Sequence, residues 1–141
     1  MTRNEIDALF HRREALFNQH DAAGLAQLYA LDAQVESPLA AGTVRGRQAL
    51  TKIHQALFDA FPDVSWERQH LIVDGELVAQ IGQFGGSYTG GFMGLPPNGR
   101  PFSIPVAIVC RIGDGEILYE RRVYDLTGVL VQIGVLKATS A

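Results

Sequence analysis

Cysteine is nearly absent from the sequence, in which Cys110 is the only one among 141 residues. A disulfide within the chain needs two cysteines and a cysteine-rich zinc site needs more, so both are excluded. Basic runs are also lacking, and the net charge of −3 disfavours nucleic acid as a partner. Apolar runs stay far short of the roughly 20 residues that span a bilayer, and residues 1–9 do not resemble a signal peptide. We therefore expect a cytoplasmic protein that binds neither nucleic acid nor membrane.

Sequence motifs for cofactors, metals and activated nucleophiles are missing as well. The chain has no glycine-rich phosphate loop, no Gly-x-Ser-x-Gly motif and no two histidines at metal-ligand spacing. Its four histidines are scattered over different predicted elements. We therefore expect no cofactor and no metal, and any catalysis would depend on acid–base side chains in a pocket shielded from water.

The residues that are present predict one α+β domain spanning residues 1–141. Hydrophobic residues make up 47% of the chain, which is ordinary for a globular protein of this size. Thr2 and Glu5 have the spacing of a capping box, and Pro62 stops any helix that precedes it. The periodicity then predicts three helices: residues 3–19, a short helix capped by Asp21, and residues 47–61.

Beyond Pro62 the hydrophobic periodicity changes from helical to extended. Asp74-Gly75 and Gly113-Asp114-Gly115 are turn sequences between alternating segments, so they predict hairpins. Helices followed by a meander are typical of three helices packed on one face of a curved antiparallel sheet, with an apolar pocket between the two layers. The predicted strands are residues 33–37, 64–73, 77–88, 102–112 and 116–124, and a last apolar segment covers 126–136.

Strand alternation assigns side chains of the last two strands to the pocket wall. If the turn after Ile112 pairs that residue with Ile117, the even-numbered residues of 104–112, all apolar, share one face, which we take as the concave one. The polar residues that then fall on the concave face are Tyr119, Arg121 and Asp125.

Two helical residues and one strand residue complete the predicted site. Arg13 and His54 interrupt the apolar faces of the first and third helices, so both would point toward the cavity. Trp66, in the first long strand, is a candidate for the wall. An aspartate in such a pocket is desolvated, which raises its pKa, and lies near an arginine, which lowers it. Environments of this kind are enriched at functional sites. The predicted contacts of a small, hydrophobic ligand are His54, Arg13, Arg121, Tyr119 and Trp66.

Four segments of the chain occur in a recognisable order. They are Phe61-Pro62-Asp63, Gly90-x-x-x-Gly94-Leu95-Pro96-Pro97-Asn98-Gly99-Arg100, Asp114-Gly115-x-Ile117 and Tyr124-Asp125-x-x-Gly128-x-Leu130-x-Gln132-Ile133-Gly134. Together they resemble the SnoaL-like polyketide cyclases over nearly the whole chain. The resemblance implies the cystatin-like cone fold, which that family shares with ketosteroid isomerase and scytalone dehydratase.

The resemblance also implies a cofactor-independent intramolecular aldol cyclisation of a polyketide-like carbonyl compound. In these cyclases an aspartate at the position of Asp125 acts as general acid and base, which makes Asp125 the predicted catalytic residue. The catalytic residues of ketosteroid isomerase are not matched: Ser37 replaces the base, Arg13 the oxyanion tyrosine and Ile108 the protonated aspartate. Steroid isomerisation by that mechanism is therefore disfavoured.

Each assignment has an alternative in which the residue is structural. Asp125 would instead cap the last segment, and Arg121 would be its ion-pair partner. The chain as a whole has two alternatives, a non-catalytic small-molecule binding module on the same fold or a structural protein that self-associates.

The apolar outer face around Val109 predicts a homo-oligomer, a dimer or a tetramer. The segment 90–99 is either a lid over the pocket or a tight crossover between strands.

Overall fold

The computed structural model describes residues 1–40, 42–91 and 94–137. Within them the helices are α1 (Arg3–Asn18), α2 (Ala22–Ala26), α3 (Arg47–Ala60) and α4 (Leu126–Gln132). The strands are β1 (Tyr29–Glu36), β2 (Thr43–Arg45), β3 (Ser65–Asp74), β4 (Leu77–Ser87), β5 (Pro101–Gly113) and β6 (Glu116–Val123).

Local capping chemistry explains where α1 and α2 begin and where α3 ends. The Thr2 hydroxyl accepts from the Glu5 backbone N–H while the Glu5 carboxylate accepts from the Thr2 N–H, so the predicted capping box is confirmed. Asp21 caps α2 by accepting from the Gly24 N–H over 2.9 Å. Helix α3 stops at Ala60, two residues before Pro62, which cannot donate a helical hydrogen bond.

The six strands form one mixed sheet in the order β2-β1-β6-β5-β4-β3. The predicted antiparallel meander from β3 to β6 is confirmed by its register. Strand β1 differs from the prediction because it pairs in parallel with β6. A parallel pair needs a long crossover, which α3 and the meander provide. Periodicity places Tyr29 in the second helix with Leu25 and Leu28, but α2 ends at Ala26 and β1 begins at Tyr29, before the predicted strand at residues 33–37.

The core lies between the helices and the concave face of the sheet, which confirms the α+β class and its curved-sheet architecture. Phe10, Leu25 and Ile117 are completely buried there. The Phe17 ring packs on both layers, with ring centroids 5.2 Å from Phe58 in α3 and 6.0 Å from Phe84 in β4. Among the residues described, no helix is long and apolar enough to cross a membrane.

The connection between β4 and β5 is fastened to the C-terminal helix. The Tyr88 carbonyl accepts from the backbone N–H groups of Asn98 and Gly99, and the Asn98 side-chain amide donates to the Ile133 carbonyl over 2.7 Å. Gly134 has a φ of 80°, and a Cβ there would collide with the Arg100 guanidinium. These contacts favour the crossover over the lid for the described part of the connection. Phe92 and Met93 lie outside the described residues.

Candidate functional site

A one-residue bulge in β6 determines which of its side chains face the cavity. Ile112 pairs with Ile117 as predicted, but Arg111 pairs with Tyr119, so Leu118 is an extra residue. Gly113 leaves room for it, because a Cβ there would lie 2.9 Å from Leu118 Cδ1. A single extra residue moves every following side chain to the opposite face of the strand.

This inversion puts Tyr119 and Arg121 on the outer face, so their predicted positions in the pocket are wrong. The Tyr119 hydroxyl donates to Glu36 Oε2 over 2.7 Å, and this hydrogen bond raises the pKa of Tyr119. Arg121 Nε lies 3.7 Å from the same carboxylate oxygen. The Arg121 side chain is 65% exposed and that of Glu36 41%. We call Glu36, Tyr119 and Arg121 the outer cluster.

Asp125 also lies away from the cavity, so the pocket position on which its predicted catalytic role depends is wrong. The residue is exposed and its Oδ1 accepts from the Gly128 N–H over 2.8 Å at the N-terminus of α4. The structural alternative, a helix cap, is therefore confirmed. A Cβ at Gly128 would lie 2.5 Å from Asp125 Oδ2, so the Asp-x-x-Gly spacing is explained by the cap itself.

The bulge turns Glu120 and Arg122 inward, where they join Arg13 and Tyr29. Glu120 is completely buried and Arg13 is 2% exposed. The Glu120 carboxylate accepts from the Tyr29 hydroxyl and from Arg122 Nε, each over 2.7 Å. It also accepts from Arg13 Nε over 3.2 Å and from Arg13 Nη2 over 3.3 Å. We call Arg13, Tyr29, Glu120 and Arg122 the inner cluster.

Glu120 is ionised in this environment although it is buried. Burial alone would raise the pKa of Glu120. The charges of Arg13 and Arg122 and the hydrogen bond from the Tyr29 hydroxyl outweigh this effect and hold the pKa well below its usual range. Burial raises the pKa of Tyr29, which therefore stays protonated and donates to the carboxylate. The Cys110 thiol also donates to Glu120 Oε1 over 3.6 Å, so the carboxylate is fixed as an acceptor by four neighbours.

His54 lies behind the cavity wall, where it contacts Arg122 and packs edge-on against the Phe17 ring with centroids 6.5 Å apart. Its Nε2 is 2.7 Å from Arg122 Nη2. A guanidinium only donates, so Nε2 accepts and the ring proton is on Nδ1. Burial, followed by the charges of Arg122 and Arg13, holds the pKa of His54 well below its usual value. The ring is therefore neutral near pH 7, and its predicted direct contact with a ligand is replaced by a contact with Arg122.

An apolar cavity lies beside the inner cluster, with about 550 Å³ of empty space that includes open solvent at its mouth. Arg13 and Trp66 lie on its wall, as predicted, while their role in binding stays a prediction. The Trp66 ring lies across Gly82, where a Cβ would be 2.7 Å from Trp66 Cη2. The other lining residues are Phe17, Ser37, Leu39, Ile53, Leu57, Phe84, Val106, Ile108, Arg122 and Tyr124.

Arg122, Tyr124 and Ser37 form the polar corner of this cavity. The hydroxyls of Ser37 and Tyr124 are 3.2 Å apart, so either one donates to the other. Burial raises the pKa of Tyr124 although the hydrogen bond with Ser37 opposes the shift. Tyr124 therefore remains a hydroxyl that can donate to a ligand.

The sequence interpretation missed Glu120, Arg122, Tyr29 and Tyr124 as site residues. Strict alternation from the turn put Glu120 and Arg122 on the outer face. One signal was available: an arginine on the apolar face of a helix, such as Arg13, needs a buried carboxylate. In β6 only the two glutamates could supply one, and Glu120 is the one away from the turn.

No group of three or more His, Cys, Asp or Glu residues in the described part of the chain is arranged to hold a metal ion.

A family model for SnoaL-like polyketide cyclases matches residues 8–133. No curated protein matches the chain.

Several solved structures share the fold over most of their length. AclR from Streptomyces galilaeus, a suggested hydroxylase, is 24% identical with a TM-score of 0.85, covering 99% of this chain and 87% of AclR. IdmH from Streptomyces antibioticus, a suggested polyketide cyclase, is 27% identical with a TM-score of 0.78, covering 91% and 97%. A protein from Catenulispora acidiphila with a ketosteroid isomerase-like fold is 22% identical with a TM-score of 0.76, covering 95% of each chain. This chain therefore has the ketosteroid isomerase-like cone fold and belongs to the SnoaL-like polyketide cyclase family.

Proposed function

We propose that this chain is a cofactor-independent enzyme that closes a ring in a small polyketide-like compound by intramolecular aldol chemistry. The observation that carries the proposal is the apolar cavity with a single polar corner of Arg122, Tyr124 and Ser37. Membership of the cyclase family supports it. The similarity to IdmH, itself a suggested polyketide cyclase, points the same way.

The polar corner supplies donors where such a reaction develops negative charge. A carbon between two carbonyl groups is acidic, and loss of its proton leaves an enolate whose charge lies mainly on oxygen. Donors that are already oriented in a water-poor site stabilise that charge most strongly. In the proposed mechanism Arg122 and Tyr124 donate to the enolate oxygen, while the apolar wall folds the chain so that carbon and carbonyl meet.

The proposal assigns the proton transfer to water in the cavity. Glu120 is occupied by Tyr29, Arg122 and Arg13, and His54 Nε2 accepts from Arg122, so neither side chain is free to take a proton. The acidic carbon loses its proton to water, and the enolate carbon forms a bond with a second carbonyl carbon. The alkoxide produced takes up a proton, so the product is an isomer of the substrate.

Replacement of Arg122 tests this mechanism, with Arg121 as the matched control. A linear poly-β-ketone that carries a terminal carboxylate is incubated with the wild type, Arg122→Gln and Arg121→Gln, and the ring product is measured by chromatography. Loss of an oriented oxyanion donor lowers kcat by roughly 100- to 1,000-fold, so we expect a loss of that size for Arg122→Gln only. Full activity in Arg122→Gln would overturn the mechanism.

The second candidate function is a binding module without turnover. It is favoured by the occupied state of both buried titratable residues, Glu120 and His54, which leaves no side-chain base free in the described cavity wall. Trp66, the only tryptophan of the chain, lies on the wall and provides a fluorescence signal for occupancy. A compound that changes this fluorescence and is recovered without conversion after long incubation would support the binding module.

We also propose that the outer face of the sheet binds a second copy of the chain. Ile81, Val109 and Val123 are 39%, 38% and 53% exposed there. They lie on adjacent strands, so they form an apolar patch and are not isolated surface residues. A charge placed in such an interface is desolvated on association, so Val109→Lys should shift the protein to monomer. Light scattering at micromolar concentration measures this, and a monomeric wild type would contradict the proposal.

A further inference from the structure

We infer that the molecule bound in this cavity is an organic anion, whose negative charge lies against Arg122. The inference rests on the proposed function, because it assumes that the cavity is the binding site, and it narrows the substrate to one class. The classes that qualify are carboxylates and compounds that are already enolates or phenolates near neutral pH.

The first argument is the balance of charge around the inner cluster. Arg13 and Arg122 are two buried cations, and Glu120 is the one carboxylate that contacts them. The other titratable groups facing them are neutral: Tyr29 donates its proton to Glu120, His54 accepts from Arg122, Cys110 is a buried thiol, and Tyr124 is a hydroxyl that shares a hydrogen bond with Ser37. Within the described residues the cluster therefore carries one positive charge in excess.

The second argument is that the excess charge is available at the cavity. Arg122 has five N–H groups, of which Nε donates to Glu120 and Nη2 donates to His54. Its Nη1 has no partner among the described residues and is not sealed from solvent. Arg13 also lines the cavity, and its Nη1 likewise has no partner among the described residues, but its side chain is 2% exposed whereas that of Arg122 is 11% exposed. The more accessible of the free donors thus belong to Arg122.

The third argument concerns water. In the empty cavity, water can solvate the free N–H groups of Arg122. A ligand that fills the space displaces that water, and the N–H groups of Arg122 that do not face Glu120 or His54 then lose their hydrogen-bond partners, which is unfavourable. A neutral apolar ligand is therefore penalised on entry. A ligand that brings one negative charge replaces the water with a charge-assisted hydrogen bond instead.

The apolar remainder of the wall argues for an organic rather than an inorganic anion. Phe17, Trp66, Phe84, Val106 and Ile108 line the cavity together with leucine and isoleucine side chains from the helices and the β1–β2 connection. Phosphate or chloride would satisfy Arg122 but would leave these groups in contact with water. An aromatic or alkyl body attached to the charge removes them from water, and this burial of apolar surface stabilises the complex.

Matched pairs of an acid and its amide test the inference on the unmodified protein. The probes are benzoate and benzamide, 1-naphthoate and 1-naphthamide, and 9-phenanthrenecarboxylate with its amide, measured by calorimetry at pH 7.5. Within each pair the shape is nearly constant and the charge changes. We expect the acid of at least the best-fitting pair to bind about tenfold tighter or more than its amide.

Two variants and one inorganic anion separate the possible outcomes. Arg122→Gln removes the excess charge and should bring the acid to the affinity of the amide, while Arg121→Gln on the outer face should keep the preference. Equal affinity of acid and amide in the wild type would overturn the inference and leave the proposed binding cavity intact. Stabilisation by phosphate equal to that by the acids would identify an inorganic anion site and also overturn it. If no probe binds, the cavity and the proposed function fail together with the inference.

Discussion

The inner and outer clusters contain the same chemical groups in opposite environments. Each joins a glutamate, a tyrosine and an arginine, to which the inner cluster adds a second arginine, Arg13. Arg121 of the outer cluster and Arg122 of the inner cluster are consecutive in the sequence. In the outer cluster water screens the charges, and such exposed pairs contribute about 0–1 kcal/mol. In the inner cluster the Glu120 carboxylate is completely buried and fully partnered, so removal of one group leaves another charge uncompensated. The comparison shows that burial, not residue type, determines how much these side chains contribute to the stability of the fold.

Replacement of the two glutamates should give the largest difference in stability between matched variants of the inner and outer clusters. Glu120→Gln leaves Arg13 and Arg122 buried without a carboxylate, so we expect a loss of about 3–5 kcal/mol in the free energy of unfolding. Glu36→Gln breaks only exposed contacts and should cost less than about 1 kcal/mol. Urea denaturation of both variants measures the difference. Equal losses would contradict the distinction between the clusters.

Replacement of the tyrosine should also destabilise the protein more in the inner cluster than in the outer one, but by less than replacement of the glutamate. Tyr29→Phe removes a buried donor to an ionised carboxylate, a type of hydrogen bond that contributes about 1.5–3 kcal/mol. Tyr119→Phe removes a hydrogen bond at the surface and should change stability by less than about 0.5 kcal/mol. Thermal unfolding of the variants at pH 7.5 gives both values, and a Tyr29→Phe variant as stable as the wild type would count against the inner network.

Acid should weaken the inner cluster in two stages, both with the same sign. His54 has a lowered pKa in the folded chain, so the unfolded chain binds its proton first and stability falls as the pH drops below ~6.5. The slope approaches ~1.4 kcal/mol per pH unit for one proton. Glu120 also has a lowered pKa, so its contribution is complete above ~4.3 and is lost below that value.

The variant His54→Gln isolates the first stage, since a glutamine oxygen can still accept from Arg122. Its free energy of unfolding should be nearly flat between pH 7.5 and pH 5.5, apart from contributions of exposed groups. His11→Gln, at an exposed position of α1, is the control and should retain the slope of the wild type. A slope that survives in His54→Gln would show that another group titrates.

The smallest effect should come from Asp125, at the junction of β6 and α4. Asp125→Ala removes a helix N-cap and should cost about 1 kcal/mol, whereas Asp125→Asn keeps a good cap and should cost less. Both variants should bind cavity ligands like the wild type, because the side chain is exposed and bonded to Gly128. A large loss of activity in Asp125→Asn with normal stability would return Asp125 to the catalytic role.

Local rules predicted most of the fold and part of the site. Capping at Thr2 and Asp21, the stop at Pro62 and the turn that pairs Ile112 with Ile117 all depend on a few neighbouring residues, so the sequence shows them directly. The inward positions of Arg13 and His54 followed from helical periodicity in the same way.

The rest depended on contacts that no local pattern reveals. The extra residue Leu118 changes the face of everything after it, and whether a strand accommodates such a residue is decided by its partner strand. The same holds for β1, whose parallel neighbour lies at the other end of the chain. For this one reason strict alternation places Asp125 in the pocket and does not indicate Glu120 as a site residue.

The order in which the chain is synthesised gives the inner cluster a further consequence. Arg13 and Glu120 are 107 residues apart, and β1 finds its parallel neighbour only in the last strand. Closing so long a segment costs entropy that is recovered only when these late contacts form. On the ribosome, α1 must therefore keep Arg13 in water until β6 has left the exit tunnel. The cavity is then completed only when the last strand has been added, and a nascent chain truncated before Glu120 should have no ligand-binding capacity.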